Sequence, residues 1–431
     1  MFNRGPLMAF QNTQYRLLWG ASLFSILSFF MVLVARGWLI LELTDSPFMV
    51  TAINAVPILP MLVLSPIGGV IADRFSRRLI LMAGDLLNGA VLLTLALLIL
   101  AGDVQVWQVF ALSFLHGVVF STTMPARMAA VPDVVEPRYM ASGIAMFTTI
   151  FSTAQLAGPA PAGFLIEAYG MGPTFLVASS LLIPALTLLL FLDIPRRGSP
   201  DDQPARGSFF ANIGEALVYV RGRPLMYSLL LMGVVFSIFS MPYQAMLPVF
   251  ARDVLQMGPD GLGALTTFVG VGALVGSIAV AAAGSDQRLR FLLVWGGVSF
   301  GVLILLFASS VIAWLSFGLA ILLGFAMQTA LTSNMTVMQL ELPAYIRGRV
   351  ISIRMVAVGL APAGMLALGG GAEVVGPRVA LATMGAISTA LVLLLVWAFP
   401  VLRRAESRTE AQGSPVPGVI GGTTGGAGDG G

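Results

Sequence analysis

Gly68-Gly69-Val70-Ile71-Ala72-Asp73-Arg74-Phe75-Ser76-Arg77-Arg78 closes one apolar run and opens the next. The order of residue types in it decides how the whole chain is read. Gly69 omits a side chain where a helix can then approach a neighbour closely. Asp73 stands where that helix ends, so its carboxylate can cap a terminus or face the positive end of another helix. Arg74, Arg77 and Arg78 follow at once. Such a cluster can pair across one face of a two-part molecule, hold it closed, and release it when the parts rock. The plainer alternative is a positive anchor at a membrane surface.

The composition around this stretch points to a bilayer. Of 431 residues, 57% are hydrophobic and 10% are charged. Soluble domains carry about 25% charge, so the charges here are too few to cover a soluble surface. Twelve spans of about 20 residues need about 240 apolar residues, and 57% of 431 is about 246. A net charge of +3 leaves no electrostatic footprint for nucleic acid. With no Cys and one His, His116, the chain has no disulfides, thiolate nucleophiles or poly-His metal sites. Every one of the 23 basic residues is Arg, so no P-loop lysine exists. No metal or cofactor is expected and no enzyme signature is present. Direct ATP hydrolysis through a P-loop in this chain is excluded.

Twelve apolar runs are expected to be helices. The first, near 17–43, is too long for a signal-peptide core and reads as a retained span. Five follow at about 49–72, 79–101, 107–130, 141–168 and 173–192. After a polar middle come six more, at about 225–250, 260–284, 291–310, 312–336, 350–373 and 378–400. The expected organisation is an N-terminal six-helix bundle over 1–192 and a cytoplasmic linker over 193–222. A C-terminal bundle over 223–402 and a disordered, Gly-rich cytoplasmic tail over 403–431 complete it. Within the linker, Phe209, Ile213, Leu217 and Val220 fall at helical spacing, as in an amphipathic helix lying on the membrane.

Arginine placement sets the orientation. With both termini cytoplasmic, twenty of the 23 arginines fall on inside segments and two, Arg252 and Arg378, fall outside. Arg36 is left within the first span. A faint repeat accompanies this count. Asp286-Gln287-Arg288-Leu289-Arg290 follows the eighth run as Asp73 to Arg78 follows the second. A parallel duplication of a six-helix unit leaves such a trace.

The opening stretch resembles the loop signature of the major facilitator superfamily, G-x-x-x-D-R-x-G-R-R. The match holds at Gly69, Asp73, Arg74, Arg77 and Arg78 and departs at Ser76, where the family usually has Gly. Tyr15-Arg16-Leu17-Leu18-Trp19 and the string Ala35-Arg36-Gly37-Trp38 through Pro47 are similar to the drug:proton antiporter branch containing macrolide-efflux and enterobactin-exporter proteins. So are Met124-Pro125-Ala126-Arg127, Val131-Pro132-Asp133, and Pro343 to Val350 with Arg347-Gly348-Arg349. Gly158-Pro159-Ala160-Pro161-Ala162-Gly163 resembles the Gly-Pro motif of exporters, with Pro161 an extra proline. The resemblance implies two bundles rocking about a midplane site, with the first, fourth, seventh and tenth helices lining the cavity. Proton antiporters of the superfamily usually carry an Arg three residues before the place of His116. Here that residue is Ser113.

Ionisable groups inside spans are functional candidates by default. Arg36 could attract an anionic substrate or tune a proton-carrying acid; alternatively it pairs with a carboxylate or snorkels outward. Asp85, with Asn88 on the same face, is a candidate proton site or a partner of the loop arginines, at a peripheral place in the family fold. His116 has the unperturbed pKa of a proton carrier, about 6.5, or is an interior hydrogen-bonding group. Tyr243 and Gln244, beside Pro242, and Gln328 and Asn334 are polar positions on implied lining helices. Glu373 reads as a capping or rim residue.

The expected fold is therefore an all-α membrane protein with twelve transmembrane helices in two pseudo-symmetric six-helix bundles. The expected function is proton-coupled efflux of an amphipathic small molecule by a monomer in the cytoplasmic membrane. Uptake or uniport of a metabolite, lipid flipping, and a non-transporting sensor on the same scaffold are the alternatives.

Overall fold

A computed structural model describes residues 8–61, 64, 75–194, 214 and 218–403. The N-terminal half comprises α1 (Thr13–Thr44), α2 (Pro47–Met61), α3 (Arg77–Ala101) and α4 (Val106–Val134). It continues with α5, in two pieces (Met140–Ala157 and Pro159–Tyr169), and α6 (Met171–Leu190). The C-terminal half comprises α7 (Pro224–Val254), α8 (Pro259–Ala282), α9 (Asp286–Ser309) and α10 (Ala313–Glu341). It closes with α11, in two pieces (Ala344–Val358 and Ala361–Val375), and α12 (Pro377–Ala398). Ten of these rods are long and apolar enough to cross a bilayer over the described residues. The other two are α2, described as a short apolar helix, and α5, interrupted at Gly158. The fold is all-α, with twelve transmembrane helices in two pseudo-symmetric six-helix bundles. The amphipathic linker helix and the tail expected from sequence lie outside the described residues, apart from 214, 218–222 and Arg403.

Local chemistry fixes the ends. Asn12 caps α1, its side chain accepting from the Gln14 amide at 2.8 Å. Asp45 ends α1 in the left-handed region (φ 49°), and Ser46 caps α2 with Pro47 in its first turn. The two halves repeat each other in detail. The tight α5–α6 and α11–α12 junctions each turn on one glycine, Gly170 and Gly376, both at φ 85°. α4 and α10 are each 29 residues long.

The apolar core is asymmetric about the membrane plane. Away from the termini, one continuous cluster takes residues from both halves, including Ile40, Ile53 and Phe175 on one side and Phe250, Leu265 and Leu368 on the other. Towards the termini there are two clusters. One is confined to the N-terminal half, around Tyr15, Leu81, Phe147 and Leu189. The other is confined to the C-terminal half, around Met226, Leu293, Val337 and Val392. Among the described residues the halves thus share a core on the far face and pack separately on the face of the termini.

Candidate functional site

Arg77 and Arg78 are the described arginines of the opening motif. Arg77 forms an ion pair with Asp133 at the end of α4 and donates to the Ala129 carbonyl at 2.7 Å. Arg78 donates to the Leu190 carbonyl at 2.5 Å. Both sets of bonds stay inside the N-terminal half, so in this conformation these two side chains do not bridge the halves. Among the described residues the halves keep separate apolar cores at this face. Gly69, Asp73 and Arg74 lie outside the described residues. The C-terminal half has a matching corner, where Arg290 bonds Asp286 at 2.7 Å and Glu341, at the end of α10, at 3.0 Å.

Deeper in the N-terminal half, α1, α3 and α4 build a buried polar network. Asp85 pairs with Arg127, their side chains 1% and 3% exposed. Ser25 donates to Asp85 at 2.9 Å, and Arg127 donates to Ser25 and Ser22 at 2.9 and 3.2 Å. Asp85 is therefore buried inside the N-terminal half, and its partner is Arg127, not a loop arginine. Local packing explains this. Gly84 has so little clearance from Thr123 that any side chain there would overlap it, which brings α3 against α4 and turns Asp85 inward. A small cavity of about 20 Å³ continues from the pair past Asn88 to His116, walled by Phe29 and Phe120. That is room for about one water, which needs roughly 10–15 Å³ of such space. The Asn88 side-chain oxygen is buried without a protein partner, as an acceptor facing such a water would be. His116 is buried against the Phe29 ring, 5.8 Å between centroids.

Arg36 occupies the far half of α1, 4% exposed. Its Nη2 donates to Asn54 of α2 at 3.3 Å, while its Nε is buried with no partner among the described residues. Among those residues it pairs with no carboxylate, and it is buried rather than extended to the surface. Glu42 is engaged elsewhere, accepting from the Trp38 indole at 2.6 Å. In the other half, α7 departs from α-helical geometry twice, with π turns at Phe236–Ser240 and Phe250–Val254. The first absorbs the missing amide of Pro242, and such turns often mark functional sites. Tyr243 follows it, buried with no well-formed hydrogen bond on its hydroxyl and its ring edge-on to Phe300. Gln244 contacts the Met327 sulfur at 3.9 Å, and Gln328 donates to Thr332 at 3.0 Å. Asn334 is fully buried, donating to the Leu229 carbonyl at 3.0 Å and accepting from Arg354 of α11. Arg127 and Asn334 hold equivalent places along two helices of equal length. The polar candidates thus form two groups, one per half. Arg127, Arg290 and Arg354, which the charge count assigned to the inner face, are all buried.

The far face is sealed by backbone approach and by polar clasps. Gly163 and Gly263 face each other across the seam between α5 and α8, each packed on the other's backbone. A side chain on Gly163 would overlap the Pro259 carbonyl. Gly158 sits where α5 breaks, against Phe30 and the Leu27 carbonyl of α1. Glu373 of α11 accepts from Ser46 and from the Phe48 amide (3.3 Å), so it caps α2 from the opposite half. Arg252 of α7 bonds Asp45 at 2.7 Å and the Leu41 carbonyl at 3.2 Å.

Comparison with known proteins agrees with this architecture. A family profile described as transmembrane secretion effector matches residues 4–419. The chain is 25% identical over 370 residues to the staphyloferrin A transporter of Staphylococcus aureus, covering 84% of this chain and 90% of that protein. It is 26% identical over 388 residues to the multidrug efflux pump Tap of Mycolicibacterium fortuitum, covering 87% and 92%. It is 22% identical over 281 residues to macrolide efflux protein A of Streptococcus pyogenes, covering 65% and 69%. A POT family transporter in complex with 5-aminolevulinic acid shares the fold with a TM-score of 0.72 at 12% identity, over 91% of this chain and 97% of that one. A bacterial homolog of the human lysosomal transporter Spinster, inward-facing and unoccupied, gives 0.70 at 15% identity, over 92% and 99%.

Proposed function

The chain belongs to the transmembrane secretion effector family of major facilitator transporters, and from that premise we propose that it exports an amphipathic small molecule by alternating access, coupled to proton entry. Proteins of this family are membrane transporters and not enzymes. One observation carries the reading: a single core joins the halves on the far face, and two separate cores divide them near the termini. The arginine count supports cytoplasmic termini, and on that reading this is the state closed outside and parted inside, ready to load cargo from the cell. The cytoplasmic membrane is the site, and one chain completes the pathway. Loop residues Asp73, Arg74, Arg77 and Arg78 close the inner face in the opposite state. The named relatives, which include a siderophore transporter, a multidrug pump and a macrolide efflux protein, support cargo of that size and character.

Asp85 is the proton site in this reading. Its side chain is 1% exposed, within α3. Protonation would remove its charge and loosen Arg127, Ser25 and Ser22 from their present bonds, giving the α1–α3–α4 contact two arrangements. The cavity past Asn88 and His116 supplies a path for a water-borne proton. Purified protein in proteoliposomes tests this, with an imposed pH gradient and a panel of dyes, macrolides and siderophores. Flux should follow the gradient in the wild type and lose that dependence in Asp85→Asn. Flux indifferent to pH gradient and membrane potential alike would leave facilitated diffusion. No flux of any compound would favour a sensor.

A further inference from the structure

Four arginines are buried among the described residues, Arg36, Arg127, Arg290 and Arg354. Asp85 neutralises Arg127, and Asp286 with Glu341 neutralises Arg290. Arg36 and Arg354 meet no carboxylate among the described residues. Each is bonded instead to a neutral amide oxygen, Arg36 to Asn54 and Arg354 to Asn334. A buried cation left to a neutral partner is expensive, and one inside a membrane span is kept for a function. The two sites lie on opposite sides of the midplane. Arg36 is in the far part of α1, and its neighbour Gly37 packs on Pro248 of α7, across the sealed seam. Arg354 is in the first piece of α11, on the side of the termini where the halves have separate cores. The guanidinium presents a planar fork of donors that matches an oxyanion, and Nε of Arg36 is the donor still without an acceptor.

We infer that the cargo is an organic anion carrying a carboxylate, and that Arg354 and Arg36 are its successive stations on the inner and outer sides of the midplane. The inference rests on the transport reading above. Each Asn side chain keeps its arginine in place while the station is empty and gives way to the carboxylate. Arg354 receives the anion in the present state. Arg36 becomes reachable once the seam at Gly37 and Pro248 parts, and releases the anion outward.

The test uses the full chain in phosphatidylcholine nanodiscs and fluorescence polarisation of carboxyfluorescein, with ethidium as the cationic control. Carboxyfluorescein should bind, and benzoate but not benzylamine should displace it. Affinity should fall at least tenfold in Arg354→Gln, the station open in the present state, and Arg354→Lys should restore most of it. Without ligand, Arg36→Gln should melt higher than wild type, because an unpaired charge is gone, and in proteoliposomes it should slow carboxyfluorescein flux at least tenfold. A wild type that binds no carboxyfluorescein, an Arg354→Gln variant that binds it unchanged, or an Arg36→Gln variant that carries it at the wild-type rate overturns the proposal. Displacement by phosphatidylglycerol but not by benzoate assigns the stations to a lipid phosphate and overturns a soluble cargo. Flux in proteoliposomes separates the two readings. Ethidium carried with no anion bound overturns the anion stations alone. Carboxyfluorescein bound in the Arg-dependent way but never carried upholds the stations and overturns transport.

Discussion

Asp85 and Arg127 are tolerable in a bilayer only as a pair. Their side chains are almost fully buried, and the serines of α1 take up the remaining hydrogen-bonding capacity. Removing one partner leaves the other charge buried and alone, which costs about 3–5 kcal/mol. Asp85→Asn should therefore lower the melting temperature of the purified protein clearly, and Asp85→Asn with Arg127→Leu should recover most of the loss. If the double variant melts as low as the single one, the pair does not set stability at this point. Asp85 and Arg36 were legible in the sequence because an ionisable residue inside an apolar run stands out whichever way the helix is turned. Arg127 and Arg354 were not legible. They lie within a few turns of a helix end on the side of the termini, and a linear charge count treats an arginine turned inward like one in a loop. What separates them is helix rotation, set by contacts such as Gly84 on Thr123.

At the scale of elements, the seam between α5 and α8 is made by what is missing from it. Gly163 and Gly263 let two backbones touch, and a branched side chain at either position has no space in this state. Gly163→Val should disfavour closure of the far face. The chain has no cysteine of its own, so Thr51→Cys, buried on the same far face where α2 meets Gly369 of α11, is a clean reporter. A membrane-impermeant maleimide added from outside should label it slowly on the wild-type background and several-fold faster with Gly163→Val. Equal rates would mean that the seam accommodates the larger residue without opening. The Gly-Pro stretch of α5 announced itself in sequence as a place of close packing. Its partner, Gly263, did not, because nothing local connects residues a hundred positions apart. The same limit hid the capping of α2 by Glu373, whose rim position was readable and whose target was not.

Across the whole molecule, the far face is closed by apolar burial, with Arg252 to Asp45 and Glu373 to Ser46 as rim clasps. Asp45 is largely exposed, and an exposed ion pair contributes about 0–1 kcal/mol. Arg252→Gln should thus raise the outward-open population only modestly, up to about fivefold, read as the maleimide rate of the same Thr51→Cys reporter. A change of a hundredfold would show that the clasp, and not the core, holds the seam. The twelve-rod plan and its division into halves were readable from run lengths and arginine placement, since both follow from the bilayer's thickness and polarity. That the halves share a core on the far face was not readable, because it rests on contacts between residues far apart in the sequence. The shared far-side core has one more consequence. Opening it wets apolar residues such as Ile40, Phe250 and Leu262, and newly exposed apolar surface raises heat capacity. The balance between the two states proposed for this transporter should therefore bend with temperature. Spin-label distances across the seam, taken from 5 to about 40 °C, should give populations whose van't Hoff plot is a curve with a turning point, so that cooling and heating away from it both loosen the outer seal.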